Sequence, residues 1–111
     1  MPRYVPRRGD FVSITFDPQA GHEQKGRCPA LILSHDIFNR HTGLAITCPV
    51  TNTNRGVPFH LPVPAGLSLT GLVMVDQVKS VDYIARRAKF IAKAPTAFLD
   101  DVLALLDACI K

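Results

Sequence analysis

The chain alternates short apolar segments with polar turns, which is the pattern of a small β-rich protein. Val12 and Ile14 share one face of a strand at period two, and Ala30–Leu33 is a short apolar run typical of a buried strand. Pro58 and Pro62 interrupt another segment and place it at a sheet edge or a bulge. The predicted strands are Phe11–Phe16, Ala30–Leu33, Leu44–Val50, a broken Val57–Val63, Leu72–Val75 and one or two strands within Val81–Ala94.

The C-terminal segment changes to helical spacing. We predict one amphipathic helix over residues 96–110, with Thr96 as its N-cap, packed on a small β-barrel. The polar segment Ser34–Gly43 is predicted to be a loop with one helical turn around Asp36–Phe38. The apolar stripe of the predicted helix consists of Phe98, Leu99, Val102, Leu103, Leu106 and Ile110.

Length and composition point to one domain over residues 1–111, mainly β with a C-terminal helix. No run of about 18 apolar residues is present, so no membrane helix is expected, and no secretory signal follows the N-terminal arginines. Cys28, Cys48 and Cys109 are odd in number and far apart, which favours a reducing cytoplasm over a disulfide framework.

The net charge of +4 is unevenly placed along the chain. Residues 1–94 hold 12 Lys and Arg against 6 Asp and Glu, whereas residues 95–111 hold one Lys against three Asp. A basic body with an acidic tail segment favours a polyanionic partner, although many small domains are mildly basic.

Several common kinds of site lack their sequence signals. Gly21 and Gly26 have the spacing of a phosphate loop, but Arg27-Cys28 follows where that motif needs Lys and then Ser or Thr. No zinc or dinucleotide motif occurs, so no metal and no cofactor are expected. The four histidines lie in or next to turns and are interpreted as surface residues: His22, His35, His41 and His60.

A series of short motifs, weak one by one but specific in their order and spacing, resembles the MazF/PemK toxins of bacterial toxin–antitoxin systems over nearly the whole chain. The resemblance implies an SH3-like β-barrel with a C-terminal helix, assembled as a homodimer, whose apolar contacts we expect at Leu72–Val75 and the helix. The matching pieces are Tyr4-Val5-Pro6, Gly9-Asp10, Phe16-Asp17-Pro18, Gly21-x-Glu23-Gln24, Pro29-Ala30-Leu31-Ile32-Leu33-Ser34, Pro49-Val50-Thr51, Gly56-x-Pro58-Phe59, Gly71-Leu72-Val73 and Asp76-Gln77-Val78-Lys79-Ser80.

The same resemblance implies an endoribonuclease that cleaves single-stranded RNA at short motifs without a metal. In the family the ribose 2′-hydroxyl attacks the phosphate and leaves a 2′,3′-cyclic phosphate and a 5′-hydroxyl, and a cognate antitoxin blocks the RNA-binding groove. The Arg that takes part in catalysis in the PemK-like branch is replaced here by Met74, so the chain resembles the MazF-like branch.

Two residues match family positions at the scissile phosphate. Glu23 corresponds to the family's loop Glu, with an orienting or proton-transfer role, and Thr51 corresponds to a threonine at the phosphate. The alternatives are a solvated loop carboxylate and an ordinary turn threonine. Candidate RNA contacts are His22, Gln24, Lys25, Asn52, Arg55, Gln77, Lys79 and Arg86, with Arg87 and Lys89 as further candidate phosphate contacts.

The chain departs from the family at Cys28, where relatives carry the central catalytic Arg before Pro29. A thiol with a reference pKa of roughly 8.5 is mostly neutral and donates weakly, whereas a guanidinium offers a permanent charge and a fork of donors. We therefore expect impaired cleavage unless Arg27 is re-aimed to take this role. An engineered exchange and a natural variant both fit the sequence. Cys28 as a covalent nucleophile is the third alternative.

Two non-catalytic interpretations stay open beside the endoribonuclease. One is a binding toxin of the CcdB type, which poisons gyrase and shares this barrel. The other is an SH3-like module that binds RNA or protein. Assays of RNA cleavage and of gyrase inhibition distinguish the first alternative from the endoribonuclease. Absence of toxicity after Cys28→Arg identifies the second alternative.

Overall fold

The computed structural model describes residues 3–15 and 27–111, and its elements follow the predicted order. The strands are β1 (Asp10–Thr15), β2 (Arg27–Ile32), β3 (Leu44–Thr51), β4 (His60–Pro62), β5 (Leu72–Met74), β6 (Lys79–Asp82) and β7 (Lys89–Lys93). The helices are α1 (Asp36–Thr42), a 3-10 helix (Val75–Gln77) and α2 (Thr96–Ile110).

The strands form one antiparallel sheet in the order β4-β5-β3-β2-β1-β7, with β6 also paired to β3. The long strand β3 pairs with two strands along the same edge: its first half pairs with β6, and its last two residues pair with β5. Among the described residues, β4 and β7 end the order without pairing to each other. Within these residues the sheet is therefore open, and its hydrogen bonds do not close into a barrel.

Alternate residues of the central strands pack into two separate apolar clusters. Phe11 and Leu31 lie in the larger cluster, which α2 covers, whereas Val12, Ala30 and Ile32 lie in a smaller cluster on the other face of the sheet. Since side chains of a strand alternate between faces, each of these strands is buried on both sides. This double burial explains why Ala30–Leu33 is a continuous apolar run.

Helix α2 confirms the predicted bounds and most of the predicted stripe. Val102 is fully buried and Leu105 packs beside it, whereas Ile110 is 72% exposed, so the stripe ends earlier than predicted. The predicted N-cap is wrong: Pro95 precedes the helix, Thr96 is its first residue, and no side chain caps it.

The segment predicted as a polar loop with a single helical turn is the longer helix α1. Gly43 ends it in the left-handed conformation with φ of 74°, and its N–H bonds to the Asn39 carbonyl. Asn39 is fully buried and holds the helix to the sheet and the N-terminal segment. Its amide nitrogen donates to the carbonyls of Pro6 and Ser34, its side-chain oxygen accepts from the Ser34 hydroxyl, and its carbonyl accepts from the Tyr83 hydroxyl.

The apolar residues of β5 and the 3-10 helix serve the core of this chain. Val73 and Val75 are fully buried within it, so the sequence-based expectation that Leu72–Val75 supplies apolar dimer contacts does not fit them. None of the helices in the described ranges is long and apolar enough to cross a membrane.

Candidate functional site

A polar pocket of about 350 Å³ lies between the end of β3, the start of β4, the end of β5 and the 3-10 helix. Its lining combines a hydroxyl, a guanidinium, an imidazole, a carboxylate and an amide, with two apolar side chains. Such a mixture offers both hydrogen-bond donors and acceptors to one bound group. The lining residues are Thr51, Arg55, Val57, His60, Met74, Asp76 and Gln77.

Thr51 reaches the pocket as the last residue of β3. The strand ends here because the Thr51 hydroxyl accepts a hydrogen bond from the Thr53 N–H at 3.1 Å, which turns the chain. Thr51 pairs with Leu72, and the neighbouring Gly71 lies so close that a β-carbon there would be 2.7 Å from the Thr51 carbonyl oxygen. The position of Thr51 thus depends on a glycine on the adjacent segment.

His60 and Asp76 form a hydrogen-bonded pair on the pocket wall. The His60 Nε2 atom lies 3.0 Å from Asp76 Oδ1, and the His60 side chain is only 5% exposed whereas that of Asp76 is 37% exposed. The pair is held by the backbone, because His60 pairs with Met74 and the Val75 N–H donates to the Phe59 carbonyl. His60 is therefore not the surface histidine that its sequence context predicts.

Cys28 lies on the second strand, β2, at the edge of the smaller apolar cluster. It pairs with Ile14 on β1 and precedes by two residues the start of the β2–β3 pairing at Ala30 and Pro49, and it is not among the residues that line the pocket. Burial raises the pKa of the Cys28 thiol, and the Lys79 ammonium offsets part of that shift. The thiol is thus neutral near pH 7, which leaves it without the charge of a guanidinium and without thiolate character.

Arg27 occupies the opposite face of β2 from Cys28, as expected for neighbours in a strand. Its Nε donates to the Ser13 hydroxyl at 3.0 Å, and its guanidinium also donates to the Ser13 carbonyl at 2.7 Å and to the Arg87 carbonyl. Arg87 has φ of 55°, an uncommon value for a residue with a side chain. These three bonds join Arg27 to Ser13 on β1 and to Arg87, which lies in the turn before β7.

The remaining predicted residues divide into three groups. Arg55 and Gln77 line the pocket with Thr51. Arg86 donates to the Thr15 carbonyl at 3.2 Å, and the exposed Lys79 begins β6. The residues lying outside the described part of the chain are His22, Glu23, Gln24 and Lys25.

Asn52, the residue after Thr51, adds a contact beside the pocket. Its side-chain oxygen accepts from the Thr70 hydroxyl at 3.2 Å, which ties the turn after β3 to the segment before β5. The sequence reasoning missed His60, because its hydrogen-bond partner Asp76 lies 16 residues away, and no local pattern encodes that contact.

The antiparallel sheet with its C-terminal helix is the fold of a class of small toxins. The family described as PemK-like, MazF-like toxin of type II toxin-antitoxin system matches residues 7–110. The chain is 42% identical over 86 residues to the endoribonuclease toxin MazF of Escherichia coli K12, covering 78% of this chain and 77% of that protein. It is 37% identical over 103 residues to the Escherichia coli endoribonuclease PemK, covering 89% and 77%.

A solved structure agrees with the same class. The chain superimposes on MazF in a MazE–MazF crystal structure from Deinococcus radiodurans with a TM-score of 0.91, at 44% identity and with 97% of each chain covered. The chain therefore belongs to the PemK/MazF family of toxins.

Proposed function

We propose that this chain is a metal-independent, sequence-specific endoribonuclease toxin whose cleavage of single-stranded RNA is slowed by Cys28. The observation that carries the proposal is the match to this family over residues 7–110, with relatives named as endoribonucleases at 37–42% identity. The polar pocket beside Thr51 supports it, because it offers groups that bind a phosphate and a ribose.

The proposed reaction transfers a phosphoryl group within the RNA. The ribose 2′-oxygen attacks the adjacent phosphorus, the bond from phosphorus to the 5′-oxygen breaks, and the 2′-proton is balanced by a proton delivered to the leaving oxygen. Thr51 and Arg55 supply a hydroxyl and a guanidinium for the phosphate. Glu23 is assigned the orienting or proton-transfer role that the family resemblance gives it.

Two observations support the proposed loss of rate. Cys28 provides a neutral thiol at the position of the family's catalytic Arg. Arg27 does not compensate, because its guanidinium is bonded on the opposite face of β2 to Ser13 and Arg87. Losing one preorganised donor to a developing oxyanion costs roughly 10²–10³ in kcat.

The proposed partners follow from the relatives. A cognate antitoxin would neutralise the toxin, and the MazE–MazF crystal structure of a structural neighbour supports such a partner. We place the protein in the cytoplasm as a homodimer, and its three unpaired cysteines suit a reducing compartment. Dimer contacts would be tested first on α2, where the sequence predicts them, and at three exposed apolar side chains: Ile37, Phe38 and Ile84.

The test is cleavage of a long single-stranded RNA in EDTA by the chain and by its Cys28→Arg form. Cys28→Arg is expected to raise kcat by roughly 10²–10³, since it restores a charged donor. Cys109→Arg is the matched control, because Cys109 is exposed on α2 and the same exchange there adds the same charge.

Each outcome of this comparison has a definite meaning. Faster cutting by Cys28→Arg alone supports the proposal, and equal rapid cutting by all three forms contradicts the assigned impairment. If no form cuts, the endoribonuclease assignment fails, and gyrase inhibition or RNA binding without cleavage becomes the function to measure.

A further inference from the structure

The side chain of His60 lowers the stability of the fold, which a purely structural residue would not do. Among the described residues, its buried Nδ1 atom has no hydrogen-bond partner, while its Nε2 atom is bonded to Asp76. An unpaired buried polar atom destabilises the fold, and an apolar side chain of similar volume would avoid that loss. Such a feature on a pocket wall marks a residue kept for what it does in the pocket.

The chemistry of the pair fixes which group donates. An ionised carboxylate only accepts hydrogen bonds, so the proton between the two residues is on His60 Nε2. Of the three histidines that the structure describes, His35 contacts the Arg8 guanidinium and His41 contacts the Ile37 carbonyl. His60 is the one of these three that holds a carboxylate.

The bond leaves the other carboxylate oxygen available. Within the described part of the chain, the hydrogen bond of Asp76 is made through Oδ1. Asp76 is partly exposed on the wall that it shares with Thr51 and Arg55. A partly exposed carboxylate on a short 3-10 helix has several side-chain orientations, and a bond to a buried imidazole selects one of them.

We propose that His60 is a positioning residue that holds Asp76 so that its second oxygen accepts a hydrogen bond from a ribose 2′-hydroxyl of the bound RNA. The inference rests on the proposed function, because it takes single-stranded RNA as the ligand of the pocket. A hydroxyl donor matches the carboxylate, and the 2′-hydroxyl is the group that distinguishes RNA from DNA. Arg55 and Thr51 on the same wall then face the adjacent phosphate.

The test measures binding, so it works with the slow chain as it exists. The probes are one mixed-sequence single-stranded RNA and the same sequence as deoxyuridine-containing DNA, and the measured quantity is the ratio of their Kd values. His60→Leu and Asp76→Asn are each expected to lower the preference for RNA by about tenfold, the usual effect of one hydrogen bond to a charged group. The double variant should lower it no further, because both changes remove one interaction.

Two controls separate positioning from support of the fold. His60→Gln should keep most of the preference, since its amide nitrogen can donate to Asp76 in the same way. His60→Leu should leave the Tm unchanged or higher, because it removes the unpaired Nδ1 atom. A structural role would instead lower the Tm and weaken binding of RNA and DNA alike.

The outcomes distinguish this inference from the proposed function. An undiminished preference for RNA in His60→Leu, or effects of the two variants that add, would overturn the role of His60 while leaving the endoribonuclease standing. Failure of the unaltered chain to bind either oligonucleotide would overturn the proposed function, and the inference with it.

Discussion

Asn39 shows how much one buried side chain contributes to this fold. It is fully buried, and its amide joins α1 to Ser34 and to the Pro6 carbonyl. Asn39→Leu would leave those buried partners without hydrogen bonds. We expect the free energy of unfolding to fall by about 3 kcal/mol, measured by urea denaturation.

The matched control for this prediction is Asn54→Ala. Asn54 is exposed and accepts one hydrogen bond from the Gly56 N–H within a turn. Its loss should change the free energy of unfolding by about 0.5 kcal/mol or less. An Asn39→Leu protein as stable as the control would show that the α1 contact is not needed for folding.

Residue identity alone predicted some of the candidate site and missed the rest for physical reasons. Thr51 and Arg55 were selected from the sequence, and they share the pocket. His60 was interpreted as a surface residue, because its partner Asp76 lies on a different element. Strand alternation predicts that Arg27 faces away from Cys28. Its bonds to Ser13 depend on the register of β2 with β1, which the apolar pattern does not reach, since β2 begins three residues before its apolar run.

At the scale of elements, Gly71 connects β5 to the site. Its φ is 131°, and a β-carbon there would lie 2.7 Å from the Thr51 carbonyl oxygen and 2.9 Å from Val50 Cγ1. Gly71→Ala must therefore shift the end of β3. We expect a loss of about 2–4 kcal/mol in the free energy of unfolding, together with weaker RNA binding, measured by denaturation and by titration.

Gly66→Ala provides the comparison for that prediction. Gly66 also has a positive φ, 93°, but a β-carbon there meets no atom within 4 Å. Only the backbone strain remains, so the expected loss is about 1 kcal/mol with RNA binding unchanged. Equal effects of the two substitutions would show that the contact with Thr51 does not matter.

The order of elements was predictable because most strands have apolar residues at strand spacing and most gaps have turn residues. Strand β6 is an exception, since it begins at Lys79, two residues before the predicted segment, and Val81 is its one apolar residue. The strand interpretation also applied to segments buried on both faces, such as Ala30–Leu33. Helix α1 was underestimated, since most of its side chains are polar and its one fully buried residue is Asn39. Its formation depends on buried hydrogen bonds, and a hydrophobic pattern does not report those.

At the scale of the whole molecule, the uneven charge predicts how RNA binding responds to salt. Arg55 lines the pocket, whereas Lys111 follows the last residue of α2 and pairs with Asp107 on that helix. Each phosphate contact on a single strand steepens the slope of log K against log salt by roughly 0.7. Arg55→Gln should therefore flatten the slope by about 0.7, and Lys111→Gln should leave it unchanged, measured by titration at several salt concentrations. Each substitution removes one positive charge, but only Arg55→Gln changes the pocket. Equal flattening of the slope by both would therefore mean that RNA binding depends on net charge rather than on a phosphate contact in the pocket.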